Sequence, residues 1–270
     1  MTDDAGIWLH AVAREFDPAA VAGLTGVGGG PLRVVEAAGL AAVVSPVDLN
    51  EFGAEPMRRN LEDLAWLERV ARAHHGVVAA AARLGPVVPA RLGTVYLDDT
   101  RVRAMLSERR ADFVTVLERV AGRTEWGVKA YTATGAPAKP EPSQAPAAGG
   151  GRSGAGAAYL RRRRAELSAG ERRQQAALDS AEEVHAALGG CAEGARRHPP
   201  QDRSLSGEPG LMVLNGAYLV DAGRAERFRD TVAALAGRFP AIRLQLTGPW
   251  PPYSFATIDE EIDKEEEASR

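Results

Sequence analysis

The stretch Gly248-Pro249-Trp250-Pro251-Pro252-Tyr253-Ser254-Phe255 stands near the C-terminal end of this 270-residue chain. Its three prolines fix their φ angles and lack a backbone N–H donor, so neither a helix nor a central strand continues through it. It follows a strand-like run at 241–246. The sequence therefore predicts a stiff, bent peptide with three aromatic rings, which either plug the protein's own core or form a docking surface for a partner. The peptide offers no group suited to acid–base or nucleophilic chemistry.

The composition is that of a globular protein, with 45% hydrophobic and 26% charged residues. The formal net charge is −3, and residues 259–270 hold seven acidic and two basic groups, which leaves +2 on the remainder. A nucleic-acid-binding domain would be far more basic, and no window approaches the roughly 20 apolar residues that cross a bilayer. The single cysteine, Cys191, excludes an internal disulfide, and the N-terminus lacks a secretory leader. A cytoplasmic protein is expected.

Alternating and helical hydrophobic periodicities divide the chain into elements. Strands are predicted at 6–12, 32–37, 40–47, 125–132, near 203–206, at 211–220 and at 241–246, with an extended run bent at Gly93 over 87–96. Helices are predicted at 17–24, 56–84, 99–120, 158–189 and 224–238. Residues 134–157 contain 17 Gly, Ala or Pro among 24, which indicates a flexible insert.

The order β-α-β-β-α-β occurs over 6–96 and again over 125–246. This order is that of a ferredoxin-like unit, with helices on one face of an antiparallel sheet. The predicted fold is therefore α+β, with two ferredoxin-like domains joined by a helix and a flexible Gly/Ala/Pro-rich insert. The expected domains are 1–121 and 122–258, the second containing the 134–157 insert, followed by an acidic tail at 259–270.

Residues that could carry chemistry do not form a recognisable constellation. The glycines at 26–30 are followed by a strand and not by the helix that a phosphate loop requires. His74 and His75 are adjacent on a helix and point about 100° apart, so they cannot share one metal. Glu125 and Lys129 lie roughly 13 Å apart on one strand face, so each is expected to meet a cross-strand partner or a neighbouring domain. No catalytic residue, cofactor or metal site is predicted.

Four segments together resemble the gas vesicle protein F/L family. They are Gly85-Pro86-Val87-Val88-Pro89-Ala90-Arg91-Leu92-Gly93-Thr94-Val95-Tyr96, Glu125-Trp126-Gly127-Val128-Lys129, Val213-Leu214-Asn215-Gly216-Ala217-Tyr218-Leu219-Val220 and Thr247 to Phe255. They follow the family's order, and Leu92 replaces its usual Phe. The resemblance implies two α+β domains, the first with a modified ferredoxin-like fold.

The resemblance also implies a non-enzymatic protein of the gas vesicle. Such a protein would be a minor shell-associated or assembly factor that binds the small, very hydrophobic main shell protein, with other accessory gas vesicle proteins as further partners. No nucleic acid, membrane or small-molecule substrate is implied. The candidate partner-binding or structural residues are Arg91, Gly93, Thr94, Glu125, Trp126, Lys129, Tyr218, Gly248, Pro249, Trp250, Pro251, Pro252, Tyr253 and Phe255.

Each of these residues also has a purely structural interpretation. The three rings could lock the last strand against the core, Arg91 and Thr94 could pin a bend, and Trp126 is expected to be buried between domains. Two other function classes stay open. A proline-motif adaptor would use the P-x-x-P spacing of Pro249–Pro252, and a small-ligand-binding protein would use the ferredoxin-like sheet.

Overall fold

The computed structural model describes residues 4–21, 23–133, 153–201 and 208–256. The chain divides into two compact units, one formed by the residues up to Glu125 with those from Pro249 onward, the other by Trp126–Gly248. The division expected from the sequence differs, since it lies at 121/122 and assigns 249–258 to the second domain. The difference arises because Glu125 binds Ser254 and because Ala256 belongs to the core of the first unit, and hydrophobic periodicity reveals neither contact.

The first unit is built on an antiparallel sheet with strand order β2-β3-β1-β4, and β5 also pairs with β1. The strands are β1 (Ala5–Ala13), β2 (Arg33–Ala37), β3 (Leu40–Asp48), β4 (Val88–Pro89) and β5 (Val95–Tyr96). Strand β1 pairs with β3 from Ala5↔Asp48 to Ala13↔Ala41, with an irregularity between Leu9 and Ala11. Every residue of β1 after Ala5 is buried, which confirms the interior strand expected from its two apolar faces.

The hairpin between β2 and β3 also follows the sequence expectation. Its two connecting residues, Ala38 and Gly39, have φ angles of 53° and 74°. Two successive positive φ angles characterise the type I′ turn, whose twist matches that of antiparallel strands. Gly39 adopts this conformation without strain, whereas Ala38 does so at some cost in free energy.

The helices of the first unit are shorter than their hydrophobic periodicity indicates. They are α1 (Leu49–Phe52), α2 (Ala54–Asn60), α3 (Leu64–Ala82), α4 (Asp99–Glu108) and α5 (Arg110–Val120). A single helix over 56–84 is wrong because Asp63 caps a new helix, accepting hydrogen bonds from the N–H groups of Ala65 and Trp66. The predicted 99–120 helix is interrupted at Arg109, and the predicted 17–24 helix is only a 3-10 turn at Pro18–Val21.

The second unit has a four-stranded sheet of order β7-β8-β6-β9. Its elements are β6 (Arg123–Thr132), α6 (Ser153–Gly189), β7 (Gly194–Arg197), β8 (Met212–Asp221), α7 (Ala225–Arg238) and β9 (Ile242–Trp250). Most of the predicted 134–157 insert and the predicted strand near 203–206 lie outside the described residues. The insert's last five positions are helical, since α6 begins at Ser153, and strand β7 is an element that the sequence did not indicate.

A buried polar chain crosses the core of the first unit. The indole N–H of Trp8 donates to His74 Nδ1 at 3.0 Å, and His74 Nε2 donates to the Ala90 carbonyl at 3.1 Å. His74 is therefore neutral, because its Nδ1 accepts a hydrogen bond. The ring of His10 stacks on that of His74 with centroids 5.4 Å apart, and its Nε2 lies 3.0 Å from Ser45 Oγ. Both histidines are core residues.

We expect the two buried histidines, His10 and His74, to make folding sensitive to acid. Burial lowers the pKa of His74 to about 4 and, with the neighbouring His74, that of His10 to about 3, from an ordinary value of 6.5. As the pH falls below 6.5, the two histidines gain protons in the unfolded state before they do so in the folded state. The free energy of unfolding is therefore highest above pH 6.5 and decreases toward pH 4. The loss is up to about 1.4 kcal/mol per pH unit for each histidine.

Urea unfolding at pH 7.5, 6.5 and 5.5 measures this loss. Imidazole ¹⁵N chemical shifts at pH 5.5 identify the protonation state in the folded protein. Neutral His74 with its proton on Nε2 is the expected result, and a cationic His74 in the folded protein would contradict the assignment.

Candidate functional site

The peptide at the end of β9, residues 249–256, forms a tight turn in the first unit. The N–H of Tyr253 donates to the carbonyl of Pro251 at 2.8 Å, and those of Phe255 and Ala256 donate to the carbonyl of Pro252 at 3.1 and 2.9 Å. Pro251 and Pro252 are both buried. The prolines and these local hydrogen bonds together leave the peptide little conformational freedom. Just before it, Gly248 has a φ angle of 118°, which side-chain-bearing residues rarely adopt.

A buried carboxylate holds this turn in place. Glu125 is 8% exposed, and its two carboxylate oxygens accept hydrogen bonds from the backbone N–H and the hydroxyl of Ser254, each at 2.7 Å. Hydrogen bonds to an ionised acceptor are stronger than neutral ones, particularly away from water. We call this pair the Glu125–Ser254 clamp. Glu125 thus meets a segment that is distant in sequence.

The three rings of the peptide divide between core and surface. Phe255 is 1% exposed, and the guanidinium carbon of Arg119 lies 5.8 Å from its ring centroid. Trp250, in contrast, is 42% exposed. Phe255 therefore plugs the core, whereas Trp250 is partly exposed to solvent.

His75 on helix α3 braces the remaining two rings. Its ring centroid lies 5.4 Å from that of Trp250 and 6.0 Å from that of Tyr253, and its Nδ1 lies 3.2 Å from the Tyr253 hydroxyl. Burial, and secondarily the charge of Glu125, raises the pKa of the Tyr253 phenol, so the hydroxyl keeps its proton at neutral pH. Trp250 is thus supported on one side while its other side remains accessible.

An apolar concavity of about 310 Å³ lies beside Trp250. Its walls come from Ala79 and Ala82 of α3, from Pro86 and Val87, and from the run Pro249–Pro252. Arg83 and Arg123 also line it, and the buried Nε of Arg123 has no hydrogen-bond partner among the described residues. We call this feature the Trp250 groove. It brings the Gly-Pro run of the first motif next to the Trp-Pro-Pro run of the last, although 160 residues separate them.

A second concavity, of about 350 Å³, lies on the Tyr253 side of the peptide. Arg91, Thr94, Tyr253 and Ala256 all line it. The N–H and hydroxyl of Thr94 donate to the Arg91 carbonyl at 3.2 and 2.9 Å, and Gly93 between them has a φ angle of 92°. Thr94 and Gly93 therefore shape this bend, while the Arg91 side chain is exposed at the cavity.

The other candidate residues lie in the second unit and do not join these concavities. Trp126 belongs to that unit's hydrophobic core, 6.3 Å from Phe228 between ring centroids. Lys129 Nζ donates to the side-chain oxygen of Gln201 at 2.9 Å.

Tyr218 explains why its motif contains a glycine. The Tyr218 ring is fully buried, its hydroxyl lies 2.8 Å from His185 Nδ1, and burial raises its pKa. A Cβ at Gly216 would lie 2.7 Å from the Tyr218 hydroxyl oxygen and about 3 Å from its ring carbons. Glycine at 216 therefore makes room for this ring, a structural role that the sequence alone did not assign.

The part of the chain that the structure describes contains neither a candidate metal-binding cluster nor a helix that could cross a membrane. Within 4–21, 23–133, 153–201 and 208–256, no three His, Cys, Asp or Glu side chains come together as a metal site would require. None of the described helices has both the length and the apolar character needed for a membrane crossing. The fold and site define a mixed α/β protein with antiparallel sheets and an apolar groove beside a half-exposed tryptophan.

Comparison with known proteins agrees with the resemblance seen in the sequence. The family described as "Gas vesicle synthesis protein GvpL/GvpF" matches residues 6–257. Gas vesicle protein L of Streptomyces sp. (strain CB03234) is 41% identical over the full length of both chains. Gas vesicle protein F of the same strain is 30% identical over 92% of this chain and 98% of its own. The chain belongs to the gas vesicle protein F/L family.

Two crystal structures share the fold. That of GvpF from Anabaena sp. PCC7120 has a TM-score of 0.64 at 19% identity, covering 95% of this chain and 98% of its own. That of GvpF from Microcystis aeruginosa has a TM-score of 0.61 at 16% identity, covering 94% and 99%. The protein is thus a gas vesicle protein with the mixed α/β fold of GvpF, and its family is not a known family of enzymes. Family membership implies association with other gas vesicle components.

Loss of the Glu125–Ser254 clamp is expected to destabilise the protein. Glu125→Ala leaves a buried N–H and hydroxyl without their acceptor, which costs about 2–3 kcal/mol, whereas Ser254→Ala removes one hydrogen bond and costs about 1 kcal/mol. The double variant should be less destabilised than the sum, because the two residues share the interaction. Urea unfolding measures all three values.

The matched control is Glu118→Ala, because Glu118 pairs with Arg14 at an exposed position. It should cost about 0.5 kcal/mol or less. A Glu125→Ala variant as stable as this control would contradict the clamp.

Proposed function

We propose that this gas vesicle protein is an assembly factor that binds the very hydrophobic main shell protein and supports vesicle nucleation and growth. The single observation that carries the proposal is the 42% exposed Trp250, held on a braced peptide at the mouth of an apolar groove. Exposed apolar surface of this kind on a folded domain typically marks an interaction site. Tryptophan is also the residue most enriched at energetically dominant positions of protein interfaces.

The physical basis of the role is shielding. A small polypeptide with extensive apolar surface aggregates in water unless another surface covers it before assembly. The Trp250 groove offers apolar walls for one or two side chains of such a polypeptide, and Trp250 offers a large, rigid contact area.

Preorganisation lowers the cost of binding. The prolines, the Glu125–Ser254 clamp and the His75 contacts already fix the peptide that carries Trp250. Less conformational entropy is therefore lost on docking than with a mobile loop. The arginines at the groove, Arg83 and Arg123, suit a partner segment that has a carboxylate or carbonyl beside its apolar side chain.

The finer fold assignment belongs to the same proposal. We infer that both units are ferredoxin-like, because in each sheet the first strand lies between the third and the fourth, with the second strand at the edge. In the first unit a 3-10 turn stands where that fold has its first helix. The two units would then be two domains, with the first completed by the peptide after β9.

The two competing function classes differ in their support. A proline-motif adaptor needs accessible prolines, whereas Pro251 and Pro252 are buried in this turn. One observation favours a small-ligand-binding role, namely the cavity that Arg91, Thr94 and Tyr253 line. The shell-binding role is favoured by the exposed Trp250 and the apolar groove beside it.

The test is a pull-down of the main shell protein with the wild type and Trp250→Ala. Removal of a central interface tryptophan should weaken binding about tenfold or more, because such residues contribute about 2 kcal/mol or more. Leu64→Ala is the matched control, since Leu64 is 74% exposed on α3 of the same unit and does not line the groove. Equal binding by wild type and a folded Trp250→Ala variant would refute the role of the groove.

Vesicle formation in cells provides the second readout. Deletion of the chain should abolish or strongly reduce gas vesicles, and Trp250→Ala should reproduce part of that loss. Normal vesicles without the chain would refute the assembly role.

A further inference from the structure

Helix α6 carries an apolar face that continues beyond the core it packs on. Leu160, Leu167, Gln174, Ala181 and Leu188 follow one another at intervals of seven residues, so they lie along one side of the helix. Ala181 and Leu188 are 2% and 0% exposed, whereas Leu160 and Leu167 are 62% and 56% exposed. The same face is therefore covered at its C-terminal half and uncovered at its N-terminal half.

The covered half shows what this face is built to contact. Ala181 and Leu188 lie in the core of the second unit with Leu214 and Tyr218 of β8 and Phe228 of α7. Residues 159–176, in contrast, are exposed or only half-buried along the whole stretch. From Leu160 to Gln174 the uncovered face is about 21 Å long at 1.5 Å per residue.

A cavity adjoins the lower end of the uncovered face. It has a volume of about 480 Å³ and lies between Gly170 and Gln174 of α6 and the apolar side chains of Leu211, Pro240 and Ala241. Leu211 is itself half-exposed at 45%. The exposed Leu160 and Leu167 therefore lie on the same helix as the residues that line this apolar cavity.

The positive charge of the uncovered half of α6 distinguishes between possible binding partners. Residues 159–178 contain six arginines and two glutamates, a formal net charge of +4. Arg162 pairs with Glu166, but Arg163 and Arg164 flank the line through Leu160 and Leu167. The same face of a second copy would bring an equal positive charge against this surface, whereas an acidic helix would be attracted to it.

We propose that the uncovered half of α6 and the cavity at its base bind an acidic amphipathic helix of another protein. Two apolar rows on that helix would pack against Leu160 and Leu167 and insert a side chain beside Leu211. Its acidic flanks would meet Arg163 and Arg164. About four helical turns match the length of the uncovered face. This interface lies in the second unit and is independent of the Trp250 groove.

The probe is a labelled synthetic 21-residue helix with leucine at heptad positions a and d and glutamate at the flanking positions. Fluorescence anisotropy measures its binding to the full chain, with a scrambled peptide of the same composition as the reference. Leu160→Ala/Leu167→Ala should weaken binding about tenfold or more, since two buried leucines are lost while the helix is kept. Leu97→Ala, which is also 62% exposed, should leave binding unchanged.

The charged flanks are tested in the same assay. Arg163→Gln/Arg164→Gln should weaken binding and reduce its dependence on salt, whereas Arg162→Gln on the opposite side of the helix should do neither. Equal affinity for the scrambled peptide would overturn the proposal. So would self-association of the chain that the leucine substitutions abolish, because it would identify a second copy as the occupant of this face.

Discussion

Two hydrogen bonds to one buried carboxylate fix the position of the peptide that contains Ser254. Glu125 accepts both the N–H and the hydroxyl of Ser254, so the peptide after β9 is fixed in the first unit, where Phe255 and Ala256 are buried. A charged group is buried at a large cost in hydration, and these charge-assisted bonds offset that cost only while both are made. The position of Trp250 depends on this clamp, because the turn from Pro251 to Ala256 leads directly from one to the other. The stability of the first unit and the geometry of its apolar groove thus share one origin.

Regular local patterns account for the part of the fold that the sequence predicted. The first strand, the β2–β3 hairpin and the last helix carry complete hydrophobic periodicities or an unambiguous turn, and they form where expected. The errors arise where a local break in the backbone overrides the hydrophobic periodicity. Asp63 caps a helix inside an apolar stripe that reads as continuous, and Arg109 interrupts another. Strand β7 has charged residues and no apolar alternation, so no local signal indicated it.

The candidate site was predictable in composition and not in geometry. The sequence identified Trp250, Tyr253 and Phe255 as a rigid aromatic group, yet it could not say that Phe255 would be buried and Trp250 half-exposed. That distinction depends on His75, Arg119 and Glu125, which are distant in sequence and have no motif of their own. Conversely, Tyr218 and Trp126 belong to well-formed motifs, and both are core residues whose neighbours, Gly216 among them, serve packing. Motif strength therefore does not separate exposed residues from core residues in this protein.

Tryptophan 250 also offers a direct probe of the shell-binding role, because the other three tryptophans, Trp8, Trp66 and Trp126, are all buried. Uniform incorporation of 5-fluorotryptophan would give four ¹⁹F resonances, and the shift between H₂O and D₂O would identify the solvent-exposed one. On addition of the main shell protein, the resonance of Trp250 should move and lose its solvent shift, while the other three stay in place. Binding that leaves the Trp250 resonance and its solvent shift unchanged would contradict the account.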